Sequence, residues 1–386
     1  MPKKRVLSPK SIWDVEEVKS AFHEANIKEI HLYKLYQCLA KNPDVRWKDI
    51  TFLPKNAVRI LEEQFLPLTS TCVKCSSSSD RETYKLLIRL QDGFQVESVL
   101  MTYDTSTRDV TGQTGGVRST LCVSSEVGCQ MGCTFCATGT MGLKADLTAG
   151  EIVEQVVHAR KASANLRNVV FMGMGEPLNN YNAVKSAISL MINPNVFGFR
   201  QKCVTLSTVG VIPRIIQLAH DLPGISLALS LHASNQDLRQ KIVPSGRAYK
   251  LDRLMASIDT YQAITKGKVF IEYVLLGPDV NCTSSHAREL GELLQGRDVV
   301  INIIPWNPIL SPGMPFEAPG ETSIRDFLRI LKDEYRLPGT IRQEKGQDVS
   351  AACGQLVLLE SKKCSTSTTV GYQSQVTKDL EDLVAR

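Results

Sequence analysis

The 386-residue chain has no apolar run approaching the length of a membrane span, so no transmembrane helix is expected in it. It lacks a strong charge of either sign: a formal net charge of +5 permits a nucleic-acid partner without arguing for one. No secretory leader precedes its eleven cysteines, an odd number scattered along the chain. A reducing, cytoplasmic setting with free thiols is therefore expected rather than a disulfide framework. The glycine-rich loop 111–116 lacks the GK[ST] ending of a phosphate-binding loop, and Gly173-Met174-Gly175-Glu176-Pro177 lacks the third glycine of a dinucleotide fingerprint. The basic start Pro2-Lys3-Lys4-Arg5-Val6 is followed closely by Asp14, Glu16 and Glu17, which argues against an acid-poor transit peptide and leaves a solvated basic end as the expectation.

What is present is the composition of an ordinary globular protein, 43% hydrophobic and 22% charged. Apolar residues recur at helical spacing over 11–24, 30–39 and 55–65, predicting a small accessory bundle over 1–79 that ends in the serine run 76–79 as a linker. Just before that run, Cys72-Val73-Lys74-Cys75 reads as a minor surface feature, because a zinc site needs two more ligands nearby. Region 80–119 predicts a β-hairpin turning at Asp92-Gly93. On its second strand Glu97 is flanked by Val96 and Val99, a setting usual for the solvent face of an edge strand.

From 120 to 345 the pattern alternates strand and helix. Strands are expected at 121–127, 168–174, 203–209, 225–231, 268–276 and 299–306, with helices at 149–162, 182–191, 213–221, 251–265, 285–294 and 323–335. Such β-α repetition predicts an α/β fold with a parallel sheet and right-handed crossovers, in which chemistry gathers at the carboxyl ends of the strands. Polar residues do cluster there: Gly175 and Glu176 after the second strand, Ser207 and Thr208 at the third, Ser230 and His232 at the fourth, and Asn307 after the sixth. The fifth strand, ending in Gly277-Pro278, offers little.

The first of these strands leads into Gly128-Cys129-Gln130-Met131-Gly132-Cys133-Thr134-Phe135-Cys136. Three cysteines spaced C-x-x-x-C-x-x-C are too close to pair as unstrained disulfides and are well placed to converge on one metal centre. On a four-iron cluster they leave one iron open for a small ligand, a spacing that resembles the radical S-adenosylmethionine (SAM) enzymes. A zinc loop completed by a distant fourth ligand, or a chance cluster of buried thiols, are the alternatives.

The chain resembles the RlmN/Cfr family of radical SAM adenosine methyltransferases. The likeness is most specific at Cys122-Val123-Ser124-Ser125-Glu126-Val127-Gly128-Cys129, Met172-Gly173-Met174-Gly175-Glu176-Pro177-Leu178, Leu229-Ser230-Leu231-His232 and Ala351-Ala352-Cys353-Gly354-Gln355-Leu356. The resemblance implies a partial (β/α)6 barrel over 120–345 with a 4Fe-4S cluster on Cys129, Cys133 and Cys136. It also implies SAM contacts from Gly175, Glu176, Ser207, Ser230, Leu231, His232 and Asn307. It further implies two SAM molecules per turnover, one to methylate Cys353 and the other to yield the radical that activates the methyl group, with Cys122 expected to resolve the protein–RNA adduct and Glu97 to serve as base. The implied substrate is an adenosine of rRNA or tRNA, modified at C2, and the implied electron donor is a flavodoxin or ferredoxin system. A Cfr-type C8 methyltransferase and a non-catalytic iron-sulfur RNA-binding protein are the alternative readings. A monomer is expected, and 346–386 is expected to carry Cys353 and end in a loose tail.

Overall fold

The computed structural model describes residues 5–104, 116–309, 316–342 and 345–356. Most of the glycine-rich loop and the tail beyond Leu356, with Cys364, lie outside the described residues.

Near the start of the chain, short strands β1 (Lys10–Ser11) and β2 (Phe65–Leu66) pair in parallel and bracket helices α1 (Val15–Glu24), α2 (Glu29–Lys41) and α3 (Lys55–Gln64). The three helices bury Val18, Phe22, Leu35, Leu39 and Leu61 with Trp13 and Tyr36, the apolar stripes their spacing predicts.

Strands β3 (Thr71–Ser77), β4 (Thr83–Arg89) and β5 (Gln95–Asp104) form an antiparallel meander, and β5 pairs with β6 (Val117–Cys122). The serines expected as a linker therefore close β3 and begin its turn into β4. Their backbone is held by strand pairing and by Ser78 Oγ, which donates to Asp80 and accepts from the Thr83 N–H. After β6 the three-cysteine loop 128–136, called the cluster loop for the group its spacing suggests, lies between the two-residue strands β7 (Glu126–Val127) and β8 (Ala145–Asp146), followed by one helical turn, α4 (Ala137–Thr140). Alternation then runs through α5 (Ala149–Ala162), β9 (Leu166–Phe171), α6 (Tyr181–Ile192), β10 (Val204–Thr208), α7 (Ile212–Asp221) and β11 (Ser226–Ser230). It continues with α8 (Gln236–Ile242), α9 (Leu251–Thr265), β12 (Val269–Leu275), α10 (Ser284–Leu294), β13 (Val299–Pro305), α11 (Glu321–Tyr335) and β14 (Gly339–Ile341).

One ten-stranded sheet results, ordered β14-β13-β12-β11-β10-β9-β6-β5-β4-β3. Every neighbouring pair from β6 to β14 is parallel. Among the described residues no pairing joins β14 to β3, so the barrel is partial and the antiparallel meander extends one edge. Strands β12 and β13 are almost wholly buried, as parallel strands covered by helices are.

The expected first strand differs in extent. It begins at Val117 and stops at Cys122, because the Ser124 N–H bonds to the Gln155 side chain and the chain turns inward. Strand β14 and helix α8 were not expected. Nor is Arg5 a solvated end: its guanidinium makes two 2.7 Å bonds to the Glu151 carboxylate and one of 2.6 Å to Asp92. Buried Glu154 on α5 likewise accepts from Ser11, Thr69 and Ser70, fixing the accessory helices to the barrel wall. Among the described residues no helix is long and apolar enough to cross a membrane.

Candidate active site

The carboxyl ends of the parallel strands meet the cluster loop around one open cavity. It is lined by Cys129, Cys133 and Cys136, by Gly175, Glu176, Ser207, Ser230, His232 and Asn307, and by Cys353. A second cavity lies beside it and shares Met172, Ile304, Asn307, Arg342, Cys353, Gly354 and Leu356 with the first. Cys122 lines only this second cavity, together with Val99 and Met101 of β5. Cys353 thus stands on the wall between the cluster cysteines and Cys122.

The cluster loop is held by the backbone. Trp306 Nε1 donates to the Phe135 carbonyl (3.2 Å), and the Thr134 N–H to that of Ile242 at the end of α8 (3.0 Å). The segment after Cys353 docks on the same loop. The Ala137 N–H donates to the Gly354 carbonyl (2.8 Å) and Thr138 Oγ1 to the Leu356 carbonyl (2.6 Å).

At the strand ends Glu176 is fully engaged. Its carboxylate accepts the Leu178 and Val209 N–H groups (3.0 and 2.9 Å), tying the loop after β9 to the loop after β10. Burial raises its pKa to about 7 against those hydrogen bonds. Its own N–H donates to Glu126 (3.0 Å), a buried acid whose other carboxylate oxygen meets no polar group and whose pKa burial raises to about 8. Gly175, with φ of +105°, packs against Glu126 so closely that an added Cβ would lie 2.6 Å from the Glu126 Cβ.

Ser207 and Ser230 hydroxyls are 3.1 Å apart. His232 adopts φ of +61°, which lets Nδ1 accept the Val274 N–H (3.1 Å) and turns the ring edge-on to Phe135. Burial, with Arg239 nearby, lowers its pKa to about 3, so it stays neutral with the proton on Nε2. The Asn307 amide donates to the Cys353 carbonyl (3.1 Å) and accepts from Gln347 (3.0 Å). The Leu231 side chain, by contrast, is wholly buried in the core; only its neighbours face the cavity.

Glu97 lines neither cavity but lies next to the second. Strand β5 is interior to the sheet, not an edge, and Glu97 is buried. Val99, two residues on, is paired directly with Cys122, so Glu97 and Cys122 share a face of the sheet. Burial and the neighbouring Cys353 push the Cys122 thiol up to about 12, opposed by Arg342. The protein around it raises Cys353 as well, again against Arg342.

Three of these contributors were not anticipated. Arg342 follows β14 and lines both cavities. Glu272 comes from β12, the strand expected to offer little, and bonds Asn302 across to β13 (2.8 Å). A single acid inside the apolar run Phe270-Ile271-Glu272-Tyr273-Val274 was the available signal. Trp306 adds an aromatic wall.

The donor set fits an iron-sulfur cluster. Cys129, Cys133 and Cys136 line one cavity, and three thiolates suit an iron-sulfur cluster, which accepts soft sulfur ligands and leaves one iron open. Burial pushes all three thiols up in the free protein; a bound cationic centre reverses that preference.

A partial barrel with such a loop at the carboxyl end of its first strand defines a radical SAM enzyme, whose cofactors are a 4Fe-4S cluster and SAM, and residues 123–281 match the Radical SAM superfamily. The dual-specificity RNA methyltransferase RlmN 1 of Myxococcus xanthus is 39% identical over 84% of this chain and 88% of its own length. The ribosomal RNA large subunit methyltransferase N of Nitrosopumilus maritimus is also 39% identical, over 80% of this chain and 86% of its own. A crystal structure of a radical SAM methyltransferase from Sphaerobacter thermophilus superposes with a TM-score of 0.79 at 37% identity, covering 90% of this chain and 99% of that one. The chain belongs to the RlmN family of radical SAM methyltransferases.

Proposed function

We propose that the chain methylates C2 of an adenosine in rRNA, tRNA or both, carrying the methyl group on Cys353. The observation behind this reading is the place of Cys353 on the wall shared by two cavities, one bordered by three further cysteines and one by Cys122. An adenine ring carbon has no lone pair with which to attack a sulfonium methyl group, so simple displacement is closed to it. A thiolate is a good nucleophile and takes the methyl group readily.

Cys129, Cys133 and Cys136 would hold the cluster, and Gly175, Glu176, Ser207, Ser230, Leu231, His232 and Asn307 the SAM beside it. Bound together these would supply the one-electron radical chemistry that removes hydrogen from an S-methyl group. Cys353 presents that methyl group between the cavities, with Asn307 fixing its carbonyl. After the carbon–carbon bond to adenine has formed, Glu97 takes the ring proton. The Cys122 thiolate then attacks the Cys353 sulfur: the S–S bond forms as the S–CH2 bond breaks, and the freed methylene carbon takes a proton back from Glu97 to become the methyl group. The unpaired electron leaves to the flavodoxin- or ferredoxin-type carrier, and an external dithiol reduces the disulfide left behind.

The substrate named for the relatives supports RNA as the partner. The target base must be presented unstacked to reach such a recess. A flavodoxin or ferredoxin system as electron donor, a monomeric state and a cytoplasmic setting complete the reading. The reducing setting is supported by Cys38, Cys75, Cys122 and Cys282, none of which is held in a disulfide among the described residues.

The test is an anaerobic reaction with SAM and reductant on separate rRNA and tRNA transcripts, with the methyl group located by nucleoside mass spectrometry. Cys353→Ala is expected to abolish RNA methylation while retaining cluster iron and its visible absorption, and Cys122→Ala to accumulate a covalent protein–RNA adduct. Methylation that survives in Cys353→Ala overturns the proposal.

A further inference from the structure

The meander β3–β5 has a use beyond extending the sheet. In register, Lys85 of β4 faces Val99 of β5, which faces Cys122 of β6, so the three side chains share one face. Glu97 lies on that face beside them, and its carboxylate meets Lys85 Nζ at 3.0 Å. Both partners are shielded, with side-chain exposures of 16% for Lys85 and 6% for Glu97. The same ammonium also donates to the Ser350 carbonyl (3.3 Å), three residues before Cys353.

This is one of several ties between the meander and the segment that carries Cys353. The Ser79 N–H donates to Asp348 (2.8 Å), and Lys345 Nζ reaches both Glu82 and the Thr102 carbonyl. Gly346, with φ of +73°, lies so close to β4 that an added Cβ would come within 2.6 Å of the Thr83 methyl group. From the other side, Asn307 and the cluster loop hold the Cys353, Gly354 and Leu356 carbonyls. The segment is clamped between meander and barrel, and Lys85 is the side chain in that clamp that also touches Glu97.

We propose that Lys85 is a positioning residue that holds the Glu97 carboxylate and the Ser350–Cys353 turn in fixed relation. The inference rests on the roles proposed above for Glu97 and Cys353. An ammonium has three donors, so one Lys can bind a carboxylate and a carbonyl at once. Without it the buried carboxylate loses the ion pair that ties it to the Ser350 carbonyl, and the base is no longer held in register with the adduct. Misplacement by about 1 Å costs on the order of 100-fold in a step that depends on alignment.

The experiment compares Lys85→Met, Lys85→Arg and Glu97→Gln in the reconstituted holoenzyme, reading methylated RNA and covalent protein–RNA adduct from the same single-turnover reactions. In Lys85→Met, product formation is expected to fall about 100-fold. The adduct-to-product ratio is expected to rise as it does in Glu97→Gln, with Lys85→Arg restoring much of the rate. A purely structural role would lower adduct and product together. If Glu97→Gln accumulates adduct and Lys85→Met does not, the Lys85 proposal fails while the Glu97 reading stands. If neither accumulates it, the base assignment itself fails and takes the Lys85 role with it. Cluster iron content identifies a variant that has lost its fold; Lys85→Arg, which keeps the charge, then decides, and a failure to restore the adduct-to-product partition overturns the proposal.

Discussion

Replacing Arg342 by Met should slow resolution of the protein–RNA adduct without altering the fold. Arg342 lines both cavities and is the positive group that opposes the rise of the Cys122 and Cys353 thiols. With Cys122 raised to about 12, only a minute fraction is thiolate near neutrality, so any further rise is felt directly in rate. A neighbouring opposite charge shifts a pKa by about 1–3 units, so its loss lowers the thiolate population by about 10–1,000-fold. A more basic thiolate is the better nucleophile, with a Brønsted coefficient of about 0.4–0.5, which recovers roughly half of that loss on a logarithmic scale. The net expectation is an adduct that decays about 3–60-fold more slowly. The assay forms the adduct in a single turnover and follows its disappearance on denaturing gels from pH 7 to pH 9. Because burial holds the Cys122 thiol well above that range, the wild-type rate should climb about tenfold per pH unit across it. Arg342→Met should displace the line downward with its slope intact, and Arg342→Lys should lie between. An unchanged decay rate in Arg342→Met, or a wild-type rate that is flat with pH, refutes the reasoning.

Gly175→Ala places a Cβ at a φ of +105° and within 2.6 Å of Glu126, which costs on the order of 1–3 kcal/mol in backbone strain alone. It should weaken SAM binding measured by equilibrium dialysis, and wild-type affinity together with an unchanged melting temperature would contradict the close-packing argument. Glu126→Gln tests linkage. The folded pKa of about 8 exceeds the ordinary carboxylate value of 4.5, so the native state retains a proton that the unfolded state loses. The Glu126 contribution therefore favours folding below about pH 4.5 and is lost as pH rises toward about 8. Gln, permanently neutral and of the same shape, should raise the thermal midpoint at pH 8 more than at pH 5; an equal shift at both would show that Glu126 does not titrate in this way.

The parts of the site that could be read along the chain are those whose chemistry is local. Cys129, Cys133 and Cys136 sit within eight residues, so the spacing that suggests a shared metal centre is legible before any tertiary contact exists. Gly175, Ser207, Ser230 and Asn307 were reachable because a parallel sheet puts every strand end on one rim, so finding the strands locates the polar residues. Glu272 escaped that rule by sitting inside β12 rather than after it. Strand β14 escaped because three residues, Gly339–Ile341, are too few to show alternation; backbone bonds to β13, among them the Ile301 N–H to the Pro338 carbonyl and the Arg342 N–H to the Ile303 carbonyl, hold it in the sheet. Arg342 was hidden with it. The serine run misled for the opposite reason: its composition is that of a linker, yet the antiparallel pairing of Ser76 with Lys85 and Ser77 with Tyr84 holds it in the sheet.

Lys85 shows why a residue can yield only to the folded chain. Lys85, Glu97 and Cys122 come from three successive strands; the family resemblance reached Glu97 and Cys122, but nothing in the sequence beside Lys85 ties it to either. Pairing Lys85 with Val99 and Val99 with Cys122 sets all three on one face, and a one-residue slip in either ladder would send one to the opposite side. The register is protected on both flanks: Ser98 points the other way and bonds Gln155 of α5 at 2.6 Å, and Ser124 just beyond β6 donates to the Glu97 carbonyl at 2.7 Å. The meander thus converts a sheet edge into a ruler, measuring the distance from a buried carboxylate to two cysteines that lie 231 positions apart in the chain (353 − 122). On this account the cluster loop sets what chemistry is available, while the pairing of β4, β5 and β6 sets which sulfur, base and target atom come together.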